Sequence, residues 1–167
     1  MIQQVTLEDL DEVIEIMETI KAEMREEENP QWGSTEDDYP SIKQLTKDIE
    51  KHYMVKYVED DKLKGIISIV IETKLDFDDL PESSKELGYV LHRLAIPKEF
   101  RKQNIATKLM NYAEERARIN KIKVVKASTE LSNTKMNNLL LREGFVCKGE
   151  YSYDDYPGLY NYYEKEI

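Results

Sequence analysis

The chain has one cysteine, Cys147, among 167 residues. A lone thiol closes no internal disulfide and supports no metal site by itself, so the reducing cytosol is the natural setting. No apolar run reaches the roughly 18 residues of a membrane span. The opening MIQQVTLEDLDEV runs directly into an acidic amphipathic pattern, and no secretory signal is expected there. Positive charge is also short: 24 Lys and Arg face 34 Asp and Glu, for a net charge of −10 and a pI near 4.8. That balance speaks against a nucleic acid or an anionic membrane as partner, since both need a basic face. Acidity of this size either favours a cationic substrate or keeps the protein dispersed in solution. Glycine is scarce, at six residues, and it is missing from the one loop where it would be most expected.

What is present suffices for one domain, residues 1–167, with a sizeable core and no internal repeat. Residues 2–5 alternate as a short strand. Thr6 and Asp9 carry the capping-box signature, and Leu7, Leu10, Val13, Ile14, Met17, Ile20 and Met24 mark one face of a helix that fades in REEEN before Asn29-Pro30. PQWGSTEDDYPS reads as loop, and Ile42, Leu45 and Ile49 mark a shorter helix. Residues 53–58 and 64–71 form a hairpin around EDDKLKG. Residues 74–86 are polar and acidic, a long surface loop. GYVLHRLAI, residues 88–96, is apolar on both faces apart from His92 and Arg93, as in a buried central strand. Ile105, Leu109, Tyr112, Ala113 and Ala117 make a third helix, with Asn120 where a left-handed glycine usually ends one. Residues 122–127 form another strand. Ser132-Asn133 caps a fourth helix that Gly144 ends, and residues 145–151 and 160–167 are closing strands. The order βααββ–βαβαββ predicts an α/β domain: a mixed, mostly antiparallel twisted central sheet with helices on both faces.

The loop of interest lies in IPKEFRKQNIATKLM. A strand entering a helix through residues 97–104 gathers unpaired backbone N–H groups and the positive end of the helix dipole at one point. Such a point binds pyrophosphate by geometry. Arg101, Lys102 and Lys108 add positive charge in an otherwise acidic chain. The plain alternative is a basic helix start with solvated side chains.

The surrounding order resembles the GNAT superfamily of N-acetyltransferases. HRLAIPKEFRKQNIATKLMNYAEERA is similar to its central strand, proline-containing turn and R/Q-x-x-G-x-G/A helix opening, here Arg101-Lys102-Gln103-Asn104-Ile105-Ala106. NTKMNNLLLREGF is similar to the N-x-x-A-x-x-L-Y-x-x-x-G-F segment, with Asn133, Leu139, Gly144 and Phe145 in place. An early W…YP loop, Trp32, Tyr39 and Pro40, is shared with bacterial members. The resemblance implies the GNAT acyl-CoA N-acyltransferase fold and acetyl-CoA as cosubstrate. Leu94, Ala95 and Ile96 would pair with the pantetheine arm through their backbone. The N–H groups of Lys102, Gln103, Asn104, Ile105, Ala106 and Thr107, beside Arg101, would cradle the pyrophosphate. Asn133 would hydrogen-bond the pantetheine or line its exit. A neutral primary amine would attack the thioester directly, with the oxyanion held by a strand N–H. Members often dimerise through the C-terminal strands, so a homodimer is one expectation.

Two positions depart from that pattern. The first loop glycine is Asn104, and asparagine enters the left-handed region more easily than other non-glycine residues, so the turn is expected to persist. The tyrosine that commonly protonates the departing thiolate falls on Leu140, which donates no proton. Tyr151 or Tyr153, in the phenol-rich YSYDDYPGLYNYY, would be a substitute donor, or else the cluster packs as ordinary strand residues. Glu72, ending the third strand, and His92, on the central strand, are the two candidates for general base. The bland readings are a solvent-facing strand end and a hydrogen-bonded core histidine. Trp32, Tyr39 and the acidic group Asp76, Asp78, Asp79 and Glu82 would frame a pocket for the amine, or the acidic loop is simply solvated. The competing class is a GNAT-fold module that binds acyl-CoA without turnover, and fold alone does not separate the two.

Overall fold

The structure is a computed structural model. It describes residues 1–29, 31–32, 38–72, 85–153 and 156–167. The elements run β1 (Ile2–Gln4), α1 (Leu10–Glu26), α2 (Ile42–Glu50), β2 (Met54–Glu59), β3 (Lys62–Glu72), β4 (Gly88–Ala95), α3 (Ile105–Ile119), β5 (Val124–Glu130), α4 (Thr134–Arg142), β6 (Val146–Tyr153) and β7 (Tyr156–Glu166). This is the alternation expected from periodicity. The strands are hydrogen-bonded in the order β1-β2-β3-β4-β5-β7-β6 as a seven-stranded sheet. β4 and β5 pair in parallel, whereas β1–β2, β2–β3, β5–β7 and β6–β7 are antiparallel. Two compact units result: Met1–Ile69 with His92–Tyr112, and Val70–Leu91 with Ala113–Ile167.

The first unit is built on the apolar stripe of α1. Val13, Ile16, Met17 and Ile20 recur at helical spacing and are buried with Leu45 and Ile49 of α2, Met54, Leu63, Ile66, Ala95 and Trp32. Leu7 leaves that stripe. It sits in a 3-10 turn, Leu7–Asp9, and is 54% exposed. The Thr6 N–H donates to Asp9 Oδ2 at 2.8 Å, closing the turn ahead of α1. The β2–β3 hairpin is tighter than its sequence suggested. Glu59 pairs with Lys62, and the two residues between, Asp60 and Asp61, both have positive φ, 53° and 55°. Such a turn matches the strand twist.

The second unit pairs β5 with β7 from Val124↔Glu166 to Glu130↔Tyr160, and β6 with the outer side of β7. Tyr162, Tyr163, Val125, Ala127, Leu140 and Phe145 are buried in it. Asn137 of α4 is also buried. Its Nδ2 donates to the carbonyls of Glu130 and Asn133, while its Oδ1 accepts from Tyr163 Oη at 2.7 Å and Asn161 Nδ2 at 2.8 Å. Every polar atom of the amide is satisfied, the condition for burying it.

The scarcity of glycine has a structural counterpart. Among the described residues, nine non-glycine residues take positive φ. Three helices end in Schellman geometry around one of them: α1 at Glu28, α2 at His52 and α3 at Lys121. The expectation that Asn120 plays this part is corrected. Lys121 is the left-handed residue (φ 56°), and Asn120 instead donates its Nδ2 to Tyr89 Oη and the Arg116 carbonyl. Of the described helices, α4 alone ends on glycine, Gly144.

Candidate active site

Pro97 turns the chain out of β4 into a 3-10 turn, Lys98–Phe100, in which the Phe100 N–H donates to the Pro97 carbonyl at 2.9 Å. Arg101 is extended, Lys102 is left-handed (φ 63°), and Asn104 is left-handed again (φ 59°). The expectation for Asn104 holds: it keeps the conformation a glycine would supply. That Lys102 does the same was not legible, because lysine carries no signal for it. From Asn104 the α3 ladder begins, with the Lys108 N–H donating to the Asn104 carbonyl at 3.0 Å. Among the described residues, no protein acceptor takes a bond from the backbone N–H of Lys102, Gln103, Asn104, Ile105 or Ala106. Left-handed residues interleaved with others turn successive N–H groups to one side, which makes an anion-binding concavity. Here the positive end of a 15-residue helix stands behind it. Thr107 follows on the first turn, half-buried.

A glycine does help to build this loop, from another strand. A Cβ on Gly65 of β3 would come within 2.3 Å of Ile96 Cδ1 and 3.1 Å of Ile105 Cγ2. The bare backbone therefore lets both ends of the loop settle onto β3.

The loop's cations divide. Arg101 does not face an incoming anion: its Nε donates to the Ile96 carbonyl at 2.9 Å and its Nη2 pairs with Glu23 of α1. It anchors the loop. Lys108 donates to Tyr57 Oη at 2.8 Å and lies 4.7 Å from that ring's centroid, a cation–π contact. Gln103 donates its Nε2 to the Glu99 carbonyl at 3.2 Å. Lys102 is exposed, and no ion pair to it occurs among the described residues. Positive potential at the loop mouth therefore comes from the main chain and Lys102.

The other expected site residues fall as follows. Leu94 and Ile96 are half-buried and Ala95 is buried, just beyond the last β4–β5 pair, Leu91↔Ala127. His92 is half-buried on β4 in the first unit. Glu72 closes β3 in the second unit, half-buried, and acts electrostatically on Lys126 of β5. Burial pushes the Lys126 ammonium below its usual range, and Glu164, Glu86 and Glu72 oppose that. Trp32 is 6% exposed within the first unit's core. Tyr39 accepts a hydrogen bond from Arg93 Nη1 at 2.7 Å. Asn133 caps α4, its side chain accepting from the Met136 N–H at 3.2 Å. Leu140 is wholly buried. Tyr151 is half-buried, its ring 6.3 Å from that of Tyr162. Asp76, Asp78, Asp79, Glu82 and the Tyr153 side chain lie outside the described residues. Sequence reasoning passed over Asp48, the partner of Arg93, though the signal was there. Asp48 follows Leu45 by three positions on the apolar side of a short helix, where an acid needs a buried cation.

Comparison with known proteins agrees with this architecture. Among curated protein sequences none matches the chain. Solved structures do. A GNAT-family acetyltransferase from Streptococcus agalactiae superposes with a TM-score of 0.83 at 20% identity, over 100% of this chain and 95% of that one. A PaiA N-acetyltransferase from Thermoplasma acidophilum, in complex with coenzyme A, superposes at 0.74 with 18% identity, covering 100% and 98%. A ribosomal-protein-alanine N-acetyltransferase from Brucella melitensis superposes at 0.71 with 17% identity, covering 100% and 99%. At such identities these likenesses concern the fold. No described helix is long and apolar enough to cross a membrane, and no group of potential metal ligands occurs among the described residues. Residues 17–145 match the sequence model of the Acetyltransferase (GNAT) family, and the chain therefore belongs to that family, which binds acetyl-CoA.

Proposed function

We propose that this chain, as one catalytic domain over residues 1–167, moves an acetyl group from acetyl-CoA to a primary amine of a small molecule or peptide by direct attack. The observation that carries the proposal is the run of open N–H groups from Lys102 to Ala106 at the start of α3. It fits a pyrophosphate without glycine, because the main chain does the binding and Lys102 and Asn104 already hold the turn. Leu94, Ala95 and Ile96 would take the pantetheine arm along their backbone, and Asn133 would hydrogen-bond the pantetheine or line its exit. Acetyl-CoA supplies an activated acyl group on a thiol leaving group.

The protein's own part in the chemistry is to accept the amine's proton and orient the amine. Glu72, a carboxylate at the end of β3, is the first candidate for proton acceptor. His92 is the second candidate, on the strand that carries Leu94 to Ile96. Tyr39 would face the amine. Trp32 would support that side from within the core rather than line it.

Leu140, buried and aliphatic where the family commonly has a tyrosine, favours one other reading: an acyl-CoA-binding module without turnover. Titration calorimetry with acetyl-CoA on the wild type and on Asn104→Gly tests the proposal. The expected dissociation constant is on the order of micromolar for both. Thiol release with a panel of polyamines, amino acids, amino sugars and peptides then separates enzyme from binding module. Absence of binding by both proteins would overturn the acetyl-CoA reading altogether.

A further inference from the structure

Arg93 is out of place in two ways. It is an arginine with a side chain 5% exposed in the middle of β4, and its φ is 52°, a backbone conformation that side chains rarely adopt. Before it, residues 88 to 91 are all buried; from His92 onward burial alternates, so that Leu94 and Ile96 are half-buried while Ala95 is buried. A left-handed residue inside a strand turns the peptide planes that follow it, a device that re-aims strands beside sites.

The guanidinium is gripped on two sides. Nε and Nη2 donate to Asp48 Oδ2 at 2.6 and 2.5 Å, and Nη1 donates to Tyr39 Oη at 2.7 Å. Asp48 is itself fixed. Its Oδ2 accepts from Ser68 Oγ at 2.6 Å and its Oδ1 from Gln44 Nε2 at 2.9 Å. A planar guanidinium with five donors can hold a carboxylate and a phenol at once; an ammonium cannot hold both in this geometry. The segment on the far side of Tyr39 is held by a second buried cation. Lys21 of α1, 1% exposed, donates to Asp38 Oδ1 and to the Asp38 carbonyl, both at 3.1 Å. At the other end of the strand, Arg101 bonds the Ile96 carbonyl and pairs with Glu23. The strand end from His92 to Ile96 thus lies between two arginine–carboxylate anchors, one of which also holds Tyr39.

We propose that Arg93 is a positioning residue that couples residues 38–40, on the amine side, to the backbone of Leu94, Ala95 and Ile96, which receives the pantetheine arm. The proposal rests on the acetyl-CoA reading above. Its physical content is that the clamp stabilises one setting of the strand end, and that losing a single hydrogen bond from it loosens the arm's site while leaving the pyrophosphate loop intact.

Two variants and two ligands test it. Arg93→Lys keeps the charge beside Asp48 but breaks the fork. Tyr39→Phe removes one hydroxyl and leaves the Arg93–Asp48 pair whole, so it keeps the test open if Arg93→Lys fails to fold. Binding is measured for acetyl-CoA and for its nucleotide end alone, adenosine 3′-phosphate 5′-diphosphate, with hydrogen exchange followed at the Leu94 and Ile96 amides. The expected result is acetyl-CoA affinity lower by about tenfold in Arg93→Lys and by about threefold in Tyr39→Phe. Nucleotide affinity should stay within about twofold, and exchange at Leu94 and Ile96 should quicken. Equal acetyl-CoA affinity in folded variants overturns the inference, as does equal weakening of both ligands, which would mark a general loss of stability. A wild type that binds neither ligand would instead remove the acetyl-CoA reading, and this inference with it.

Discussion

Two asparagines stand at helix starts and work in opposite ways. Asn133, ahead of α4, is buried, has φ −73°, and turns its side chain onto the Met136 N–H. Asn104, ahead of α3, is exposed, has φ 59°, and caps nothing among the described residues, leaving the N–H groups around it open. The same side chain closes one helix start and leaves the other available to an anion. The backbone decides which. An extended or bridging φ brings the amide oxygen over the first turn, whereas a left-handed φ swings it away and exposes the main chain. A closed start contributes stability; an open one is left for a ligand to satisfy.

The sharpest way to break this comparison is to forbid the left-handed turn. Asn104→Val places a β-branched residue where φ is 59°, a conformation costing roughly 1–2 kcal/mol even for an unbranched residue. We expect acetyl-CoA affinity to fall by about a hundredfold, ~3 kcal/mol, with the protein still folded. Calorimetry beside a circular-dichroism melt reads both quantities. Full binding by Asn104→Val would mean that the loop's conformation is irrelevant to the cofactor. Gly65→Ala strikes the same loop from below. Its Cβ would press on Ile96 and Ile105, and overpacking of this kind typically costs about 1–3 kcal/mol, so we expect urea unfolding to give a stability lower by about 2 kcal/mol.

Aspartate sharpens the comparison further, because it suits one start and not the other. Asn133→Asp keeps a side-chain oxygen over the Met136 N–H and adds a negative charge at a helix N-terminus, so stability should hold or rise slightly. Asn104→Asp puts the same charge beside the bound pyrophosphate. There we expect about tenfold weaker acetyl-CoA binding, a loss that shrinks as salt is added. Asn133→Ala, by contrast, should cost about 1 kcal/mol of stability through the lost cap. If Asn133 Nδ2 also reaches the pantetheine, both Asn133 variants weaken acetyl-CoA alike.

Much of this was legible from the chain. Helices and strands were set by apolar spacing, as in Val13, Met17 and Ile20, and the capping box at Thr6 and the glycine stop at Gly144 lie where their signals put them. The misses in backbone conformation share one cause. A glycine-poor chain places Glu28, His52, Asp60, Asp61, Arg93, Lys102 and Lys121 in a region normally announced by glycine; Glu, Arg and Lys carry no signal for it, and Asp and His only a weak one. Asn120 was credited with that part because asparagine does carry a weak signal; the neighbouring lysine took it. The cations at the loop were visible as charges but not as commitments. Arg101 and Lys108 are bound to partners 78 and 51 positions away, and no local pattern encodes such a distance.

A third helix start tests the closed class by pH, with the smallest effect of the set. At the turn ahead of α1, Asp9 accepts from the Thr6 N–H and pairs with Lys56 Nζ at 2.5 Å. Burial alone would raise its carboxyl, but the bonds from Lys56 and Thr6 outweigh it and hold the group below its ordinary value of 3.8. A carboxyl lowered on folding stabilises the protein above its unfolded pKa, and that contribution is lost as pH falls through the folded one. The melting temperature of the wild type should therefore drop more steeply between about pH 5 and pH 2 than that of Asp9→Asn, the two curves converging at the acid end. Parallel curves would mean that Asp9 has no folded-state partner that matters. The open start offers the contrast. In the ligand-free protein, Asn104→Gly should leave the shape of the acid limb unchanged, since no titrating side chain closes that turn.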